Sequence, residues 1–104
     1  MKSSITVKQL ADLSSVTILD VRKTPAYDGD AVIIAGAQWR DPAAVNGWGA
    51  EFAGAAPVIC YCVHGHEVSQ GVSTALRARG LDARYLEGGI DGWKKSGGAV
   101  EPKP

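Results

Sequence analysis

Apolar and polar positions alternate along this chain in short blocks, each of strand or helix length. Thr6 has Gln9 three positions on, and Val7, Leu10 and Leu13 recur at helical spacing, which predicts a capped helix over 7–13. Val16-Thr17-Ile18-Leu19-Asp20-Val21 is β-branched and almost continuously apolar. That is the pattern of a strand buried on both faces of a parallel sheet. Pro25 opens a short helical turn over 24–28. Ala31-Val32-Ile33-Ile34 is a second apolar run, followed by Gly36-Ala37-Gln38-Trp39. Asp41-Pro42 opens another helix through Trp48 and Phe52. Pro57-Val58-Ile59-Cys60-Tyr61-Cys62 is the clearest buried strand. From Val68 onward, Val68, Val72, Ala75 and Leu76 share one helical face, and Gly80-Leu81 matches a glycine cap with its hydrophobic follower. A last strand covers 83–86, and a short helix follows Gly88-Gly89 to Lys94. Glu101-Pro102-Lys103-Pro104 reads as a frayed tail.

Strands alternating with helices predict an α/β fold. The expected architecture is one domain over 1–104, with its core about 4–100 and a tail at 101–104. Its central sheet should be mostly parallel, with about five short strands and helices on both faces. Such sheets carry their functional loops at the carboxyl ends of the strands.

Composition narrows the function classes. With 104 residues there is little room for a second domain. Eleven basic and eleven acidic side chains give a formal net charge of zero, so no basic field is available for nucleic acid. Thirteen glycines, spread without period, imply many tight turns. The two cysteines, Cys60 and Cys62, are too close for an unstrained disulfide and make no disulfide framework. Neither a signal-peptide core nor a membrane-length apolar run is visible, so no membrane partner is expected. Reduced thiols fit a cytoplasmic location.

The carboxyl-end rule points to Cys62, which closes the buried strand just before Val63-His64-Gly65-His66-Glu67 and the amphipathic helix. A cysteine at a strand–loop–helix junction faces free N–H groups and the positive end of a helix dipole. That setting stabilises a thiolate, and a short loop curled around it makes a nest of donors for an anion. Gly65 supplies the backbone freedom for such a curl. The chemistry implied is a nucleophilic thiolate meeting an anionic substrate. Cys60, inside the strand, reads instead as a structural thiol.

Cys62-Val63-His64-Gly65-His66-Glu67-Val68-Ser69 resembles the active-site loop of the rhodanese (thiosulfate sulfurtransferase) family. Ile18-Leu19-Asp20-Val21-Arg22 resembles that family's Asp-x-Arg strand end. Ile34-Ala35-Gly36-Ala37 resembles its Ile-Pro-Gly-Ala segment, with Ala35 in place of Pro. Tyr85-Leu86-Glu87-Gly88-Gly89-Ile90-Asp91-Gly92-Trp93 resembles its Leu-x-Gly-Gly…Trp signature. The resemblance implies a single rhodanese-like domain in which Cys62 takes a sulfane sulfur from a donor such as thiosulfate. The persulfide would then pass to cyanide, a thiol or a protein acceptor. Backbone N–H groups from Val63, His64, Gly65, His66, Glu67 and Val68 would hold the substrate. No cofactor is implied.

Two further readings stand beside the enzyme. One is a persulfide carrier or binding module acting with a dedicated protein partner. The other is a phosphatase or arsenate reductase. Related phosphatases carry a longer loop ending in Arg, whereas Cys62 to Glu67 spans six residues and Val68 stands where a Cys-x5-Arg motif has its Arg. Bidentate phosphate binding is weaker without that fork.

His64 and His66 read either as substrate orienters or as exposed loop residues. Glu67 suits the first turn of the helix, although a carboxylate in the substrate path would repel thiosulfate. Asp20 and Arg22 read as a supporting ion pair. Arg40 reads either as a substrate-attracting cation on the carboxyl-end face or as the partner of a surface acid. Trp39 and Trp93 read as packing residues. Cys60, Cys62, His64 and His66 are zinc-ligand types, but their alternation does not match structural zinc spacing, so no metal site is expected.

Overall fold

Five segments hydrogen-bond side by side into one parallel sheet: β1 (Ser4–Ile5), β2 (Thr17–Asp20), β4 (Gln38–Trp39), β5 (Val58–Tyr61) and β6 (Ala83–Leu86). Their spatial order is β1-β6-β5-β2-β4. The computed structural model describes residues 3–55 and 57–104; Met1, Lys2 and Ala56, which the expected 1–104 domain includes, lie outside the described residues. Five helices connect the strands: α1 (Val7–Ala11), α2 (Thr24–Asp28), α3 (Val45–Trp48), α4 (Glu67–Ala78) and α5 (Gly89–Lys95).

The central strand β5 is buried at all four positions. Successive side chains of a strand point to opposite faces, so β5 feeds two cores. Val58 and Cys60 pack with Leu19, Val21, Trp48, Phe52, Val72 and Leu76. Ile59 and Tyr61 pack with Ile5, Leu10, Leu86, Ile90 and Trp93 on the other face. Helices therefore cover both faces, as the continuous apolarity of the strand predicts. Each large apolar side chain so buried contributes roughly 1.5–3 kcal/mol.

Register sets up the site. Asp20 pairs with Tyr61, so β2 and β5 end side by side, and Val21 N–H donates to the Tyr61 carbonyl at 2.9 Å. The segments after them, 21–23 and 62–66, leave the same edge of the sheet together.

Three expectations need correction. The apolar run Ala31–Ile34 lies outside the central sheet. Its residues Val32–Ile34 form β3, which pairs antiparallel with β7 (Val100–Pro102) in a separate two-stranded sheet. Residues 101–104 are therefore not a frayed tail. The β3–β7 ladder pairs Val100–Pro102, Trp93 Nε1 pins the approach by donating to the Ala99 carbonyl at 2.8 Å, and Lys103 N–H donates to Ala31 O at 3.1 Å. The central sheet reaches five strands through the two-residue β1 and β4, too short to show a period.

The helix read from Asp41 through Phe52 is broken. A 3-10 turn (Pro42–Ala44), α3 and a second 3-10 turn (Gly49–Phe52) follow one another. Gly47 and Gly49 weaken a continuous helix there. Gly49 also packs where a Cβ would lie 3.2 Å from the Arg79 side chain. Finally, α1 has the predicted capping box of Thr6 and Gln9 but stops at Ala11, leaving Leu13 40% exposed.

Candidate active site

Cys62 follows the last residue of β5, and its side chain is buried. Residues 63–66 turn the chain into α4, which begins at Glu67, one residue earlier than the apolar spacing implies. Gly65 makes this turn at φ +75°, a left-handed conformation that favours glycine. Space imposes the same choice: a Cβ at Gly65 would lie 2.6 Å from the Leu86 carbonyl oxygen and 2.9 Å from Gly88 N.

The Gly88-Gly89 pair clamps this loop from the other side. Gly89 adopts φ +59° and is buried, so the first turn of α5 sits directly on residues 62 and 63. Ile90 N–H donates to the Cys62 carbonyl at 3.0 Å and Asp91 N–H to the Val63 carbonyl at 3.1 Å. Gln70 Nε2 takes a third loop carbonyl, that of Gly65, at 3.0 Å. Cys62 Sγ lies 3.1 Å from Ser69 Oγ, a contact in which either atom can donate. Ser69 is fully buried. It sits two residues into α4, where the side chain reaches back toward the preceding turn.

Around the sulfur lies a cleft of about 410 Å³, lined by Arg22, Lys23, Ala26, Cys62, Val63, His64, His66, Glu67 and Val68. Most of the sequence-derived site residues therefore meet in one place. His64 is 59% exposed, with Nδ1 3.7 Å from Asp91 Oδ2. His66 and Glu67 are also exposed at the mouth. Val68 is half-buried against the core, at the position where a phosphatase loop has its Arg. The alternation of Cys60, Cys62, His64 and His66 splits between core and solvent. Among the described residues no group of three or more His, Cys, Asp or Glu is arranged to hold a metal.

Asp20 and Arg22 form a buried ion pair within a larger network. Arg22 Nε donates to both Asp20 oxygens at 3.1 and 3.0 Å, and Nη2 to Oδ2 at 2.7 Å. Nη1 reaches Asp30 at 2.9 Å, and Lys94 reaches the same Asp30 oxygen at 2.6 Å. Tyr61 Oη donates to Asp20 at 2.9 Å and accepts from Ile34 N–H at 3.1 Å. Burial opposes the Arg22 charge, but the hydrogen bond and charge of Asp20, with Tyr61 and Asp30, outweigh it and raise its pKa. Burial also works against ionised Asp30, but Lys94, the Val32 N–H and Arg22 pull its pKa down to about 2. Two cations and two carboxylates thus cancel within the network that holds the Arg22 guanidinium.

Arg40 is a correction: it does not line the cleft. Its guanidinium donates to the Trp39 carbonyl, to Gln38 and to Glu51, at 2.9, 3.1 and 3.1 Å, and lies over the Phe52 ring. Proximity to a strand end is visible in a sequence; which acid lies within reach is not. The cleft cation is Lys23, which sequence reasoning missed, although it directly follows Asp20-Val21-Arg22 at the strand end. Ser69 was also missed and carries no sequence signal beyond its place in the first helical turn. Gly88-Gly89 was visible as a motif, but not its contact with residues 62 and 63.

The two thiols differ physically. Cys60 is fully buried in the core, and burial pushes its pKa up to about 12, with Arg77 opposing and Cys62 adding. It has no route to solvent-borne substrate.

Comparison with known proteins agrees with the fold. A rhodanese-related protein from Thermoplasma volcanium shares 23% identity over 98% of this chain and 100% of its own, with a TM-score of 0.85. A Rhodopseudomonas palustris protein of unknown function, a possible tyrosine phosphatase, shares 21% over 95% of this chain and 84% of its own, at 0.82. A thiosulfate sulfurtransferase from Pseudomonas aeruginosa shares 22% over 96% of this chain but only 19% of its own length, at 0.79. These likenesses are of fold alone. Residues 5–96 match the Rhodanese-like domain as a sequence family, nearly the whole sheet and every helix described above, and the chain belongs to that family.

Proposed function

We propose that the protein is a sulfurtransferase in which Cys62 is the nucleophile. The observation that carries this reading is the position of the Cys62 sulfur, at the base of a cleft and beneath a tight loop that leads into α4. The thiolate attacks the outer sulfur of a donor such as thiosulfate, a new S–S bond forms, and sulfite leaves with the electron pair of the broken bond. The resulting persulfide passes its terminal sulfur to a thiophile, either cyanide or a cellular thiol. Because Ile90, Asp91 and Gln70 hold loop carbonyls, the N–H groups of residues 63–68 are the donors left for the terminal sulfur and the departing oxyanion. Asp20 and Arg22 position the β2 end against the loop and take no part in the chemistry. A reducing compartment such as the cytoplasm suits a protein with two free thiols.

The phosphatase reading is disfavoured by Val68, which presents an apolar side chain where a phosphoryl group needs a bidentate cation. A persulfide carrier for a protein partner is favoured by one observation, the absence of any Lys or Arg within residues 62–68. Thiosulfate treatment followed by intact and peptide mass spectrometry tests the assignment. One sulfur atom should add at Cys62 and be removed by a thiol. Loading of a Cys62→Ser protein would overturn it, and loading of the wild type without turnover toward cyanide would favour the carrier.

A further inference from the structure

His64 stands on the wall of the Cys62 cleft, and its Nδ1 lies 3.7 Å from Asp91 Oδ2. The two residues come from different elements, the loop after β5 and the first turn of α5. Backbone contacts hold both in place. Asp91 N–H donates at 3.1 Å to the carbonyl of Val63, the residue before His64. On the other side of His64, Gly65 packs so closely on Leu86 and Gly88 that no Cβ would fit. A carboxylate within reach of Nδ1 favours the tautomer that leaves a lone pair on Nε2.

Three groups in the cleft lining can take a proton: His64, His66 and Glu67. A carboxylate is a much weaker base than an imidazole. Of the two histidines, His64 is the one with a carboxylate at ion-pair distance among the described residues; the His66 ring lies 6.1 Å from it. The cations around the pair cannot accept a proton while charged, and most are engaged. Lys95 Nζ shares Asp91 Oδ2 at 3.1 Å, Lys94 is bonded to Asp30, and Arg22 to Asp20 and Asp30. Lys23 completes the charged lining.

The place of His64 shows which step it serves. Cys62 Sγ is buried and in contact with Ser69 Oγ, whereas His64 is exposed at the mouth, where an incoming molecule arrives. Thiosulfate and sulfite arrive as anions, but a thiol arrives protonated. A base here helps only an acceptor that brings a proton.

We infer that His64, positioned by Asp91, is the base that takes the proton of an incoming thiol, which makes a thiol the acceptor class for this site. The inference rests on the sulfurtransferase reading of Cys62. The thiol proton moves to His64 Nε2. The thiolate attacks the outer sulfur of the Cys62 persulfide, a bond forms between those two sulfurs, and the bond to Cys62 Sγ breaks. Its electron pair returns to Cys62 as thiolate, R–S–S⁻ leaves, and the imidazolium gives its proton to solvent. While it holds that proton, the ring offsets the negative charge that thiolate and persulfide bring together. No outside oxidant or reductant is needed.

The test follows single-turnover discharge of persulfide-loaded Cys62 at neutral pH by rapid-quench mass spectrometry, after excess thiosulfate is removed. The acceptors are 2-mercaptoethanol, the more acidic trifluoroethanethiol, and sulfite. An ordinary alkyl thiol is at most about 3% thiolate at pH 7, so a base has about thirtyfold or more to gain. His64→Ala keeps the loop N–H and should slow discharge to 2-mercaptoethanol by on the order of tenfold. The loss should be smaller with trifluoroethanethiol, much of which is already thiolate, and sulfite discharge and thiosulfate loading should stay within about twofold of wild type. Asp91→Asn keeps the bond to Val63 and removes the carboxylate, so it should give a weaker loss in the same order of acceptors. Imidazole added to the His64→Ala protein should restore part of the rate to 2-mercaptoethanol. Equal discharge to both thiols in wild type and both variants overturns the inference, while loading of Cys62 leaves the sulfurtransferase standing. A loss greatest with sulfite would make His64 an attractor of anions, and a loss shared by loading would make it the base for Cys62; either overturns the assignment. Failure of Cys62 to load overturns both readings.

Discussion

Gly89→Ala adds one methyl group where α5 meets the Cys62 loop. Position 89 has φ +59°, and holding an L-residue there costs about 1–2 kcal/mol. The methyl carbon would lie 2.6 Å from the Val63 carbonyl carbon and would clash with the carbonyl oxygens of Cys62 and Val63. Ordinary carbon contacts begin at about 3.5 Å. All three neighbours are backbone, so no rotamer change relieves the overlap, and α5 must back away by roughly 1 Å. The hydrogen bonds from Ile90 and Asp91, now 3.0 and 3.1 Å, would stretch past useful range. Each is worth about 0.5–1.5 kcal/mol net, which brings the total to roughly 2–5 kcal/mol. For a domain of this size that lowers Tm by roughly 10–30 °C. Circular-dichroism melts measure the first effect, and thiosulfate loading of Cys62 below Tm measures the second. Gly71→Ala is the control: with open space at its Cβ and a helical backbone, it should raise stability by about 0.5–1 kcal/mol. A Gly89→Ala protein that melts within about 2 °C of the wild type and loads normally would refute the idea that this clamp shapes the loop.

Iodoacetamide at pH 8 should alkylate Cys62 and leave Cys60 unmodified in the folded protein, because burial holds the Cys60 thiol protonated up to about pH 12; peptide mapping that finds Cys60 labelled first would contradict this. Asp20→Ala leaves Arg22 buried without its main partner and should destabilise the fold by about 3–5 kcal/mol in urea titration, with much of the loss recovered when Arg22→Met is added. Asp30 has a depressed folded pKa, so its contribution is complete above its ordinary value of 3.8 and is lost as pH falls toward about 2. That amounts to on the order of 1–2 kcal/mol after allowing for solvent screening, and Asp30→Asn should flatten this part of the acid-unfolding profile. Arg40→Ala should leave thiosulfate loading within about twofold of wild type and change stability by no more than about 1 kcal/mol, since its ion pair with Glu51 is exposed; a larger fall in loading would return Arg40 to the site.

Local chemistry was the part of this molecule open to reading from sequence. The strand–Cys–Gly–helix junction, the Thr6–Gln9 cap and the Asp20–Arg22 pair each depend on neighbours a few residues away, so spacing reveals them. Contacts across the fold carry no such signal. The sequence does not reveal that Gly89 sits on the Cys62 carbonyl, that Tyr61 bonds Asp20, or that Asp30 completes the Arg22 network. Arg40 was placed at the cleft and Lys23 overlooked for the same reason. Both follow strand ends, and only the fold decides which one meets Glu51 and which one faces the cysteine. Short elements were hidden differently: β1 and β4 have two residues each, and hydrophobic periodicity needs more positions than that.

The β3–β7 ladder has a consequence for how the chain acquires its structure. Val32 pairs with Pro102 and Ile34 with Val100, so this small sheet joins segments far apart along the chain. Contacts so distant in sequence close slowly, because the intervening loop must lose its freedom first. During synthesis β3 emerges well before its partner and keeps an open edge until residues 100–103 have been made. Those residues act as a closing latch: with Lys103 reaching both Ala31 and Tyr27, they hold the base of the Asp30–Arg22 network from behind. A ribosome-stalled chain ending before Val100 should therefore have its central sheet but keep β3 open to proteolysis, and emergence of residues 100–103 should protect it.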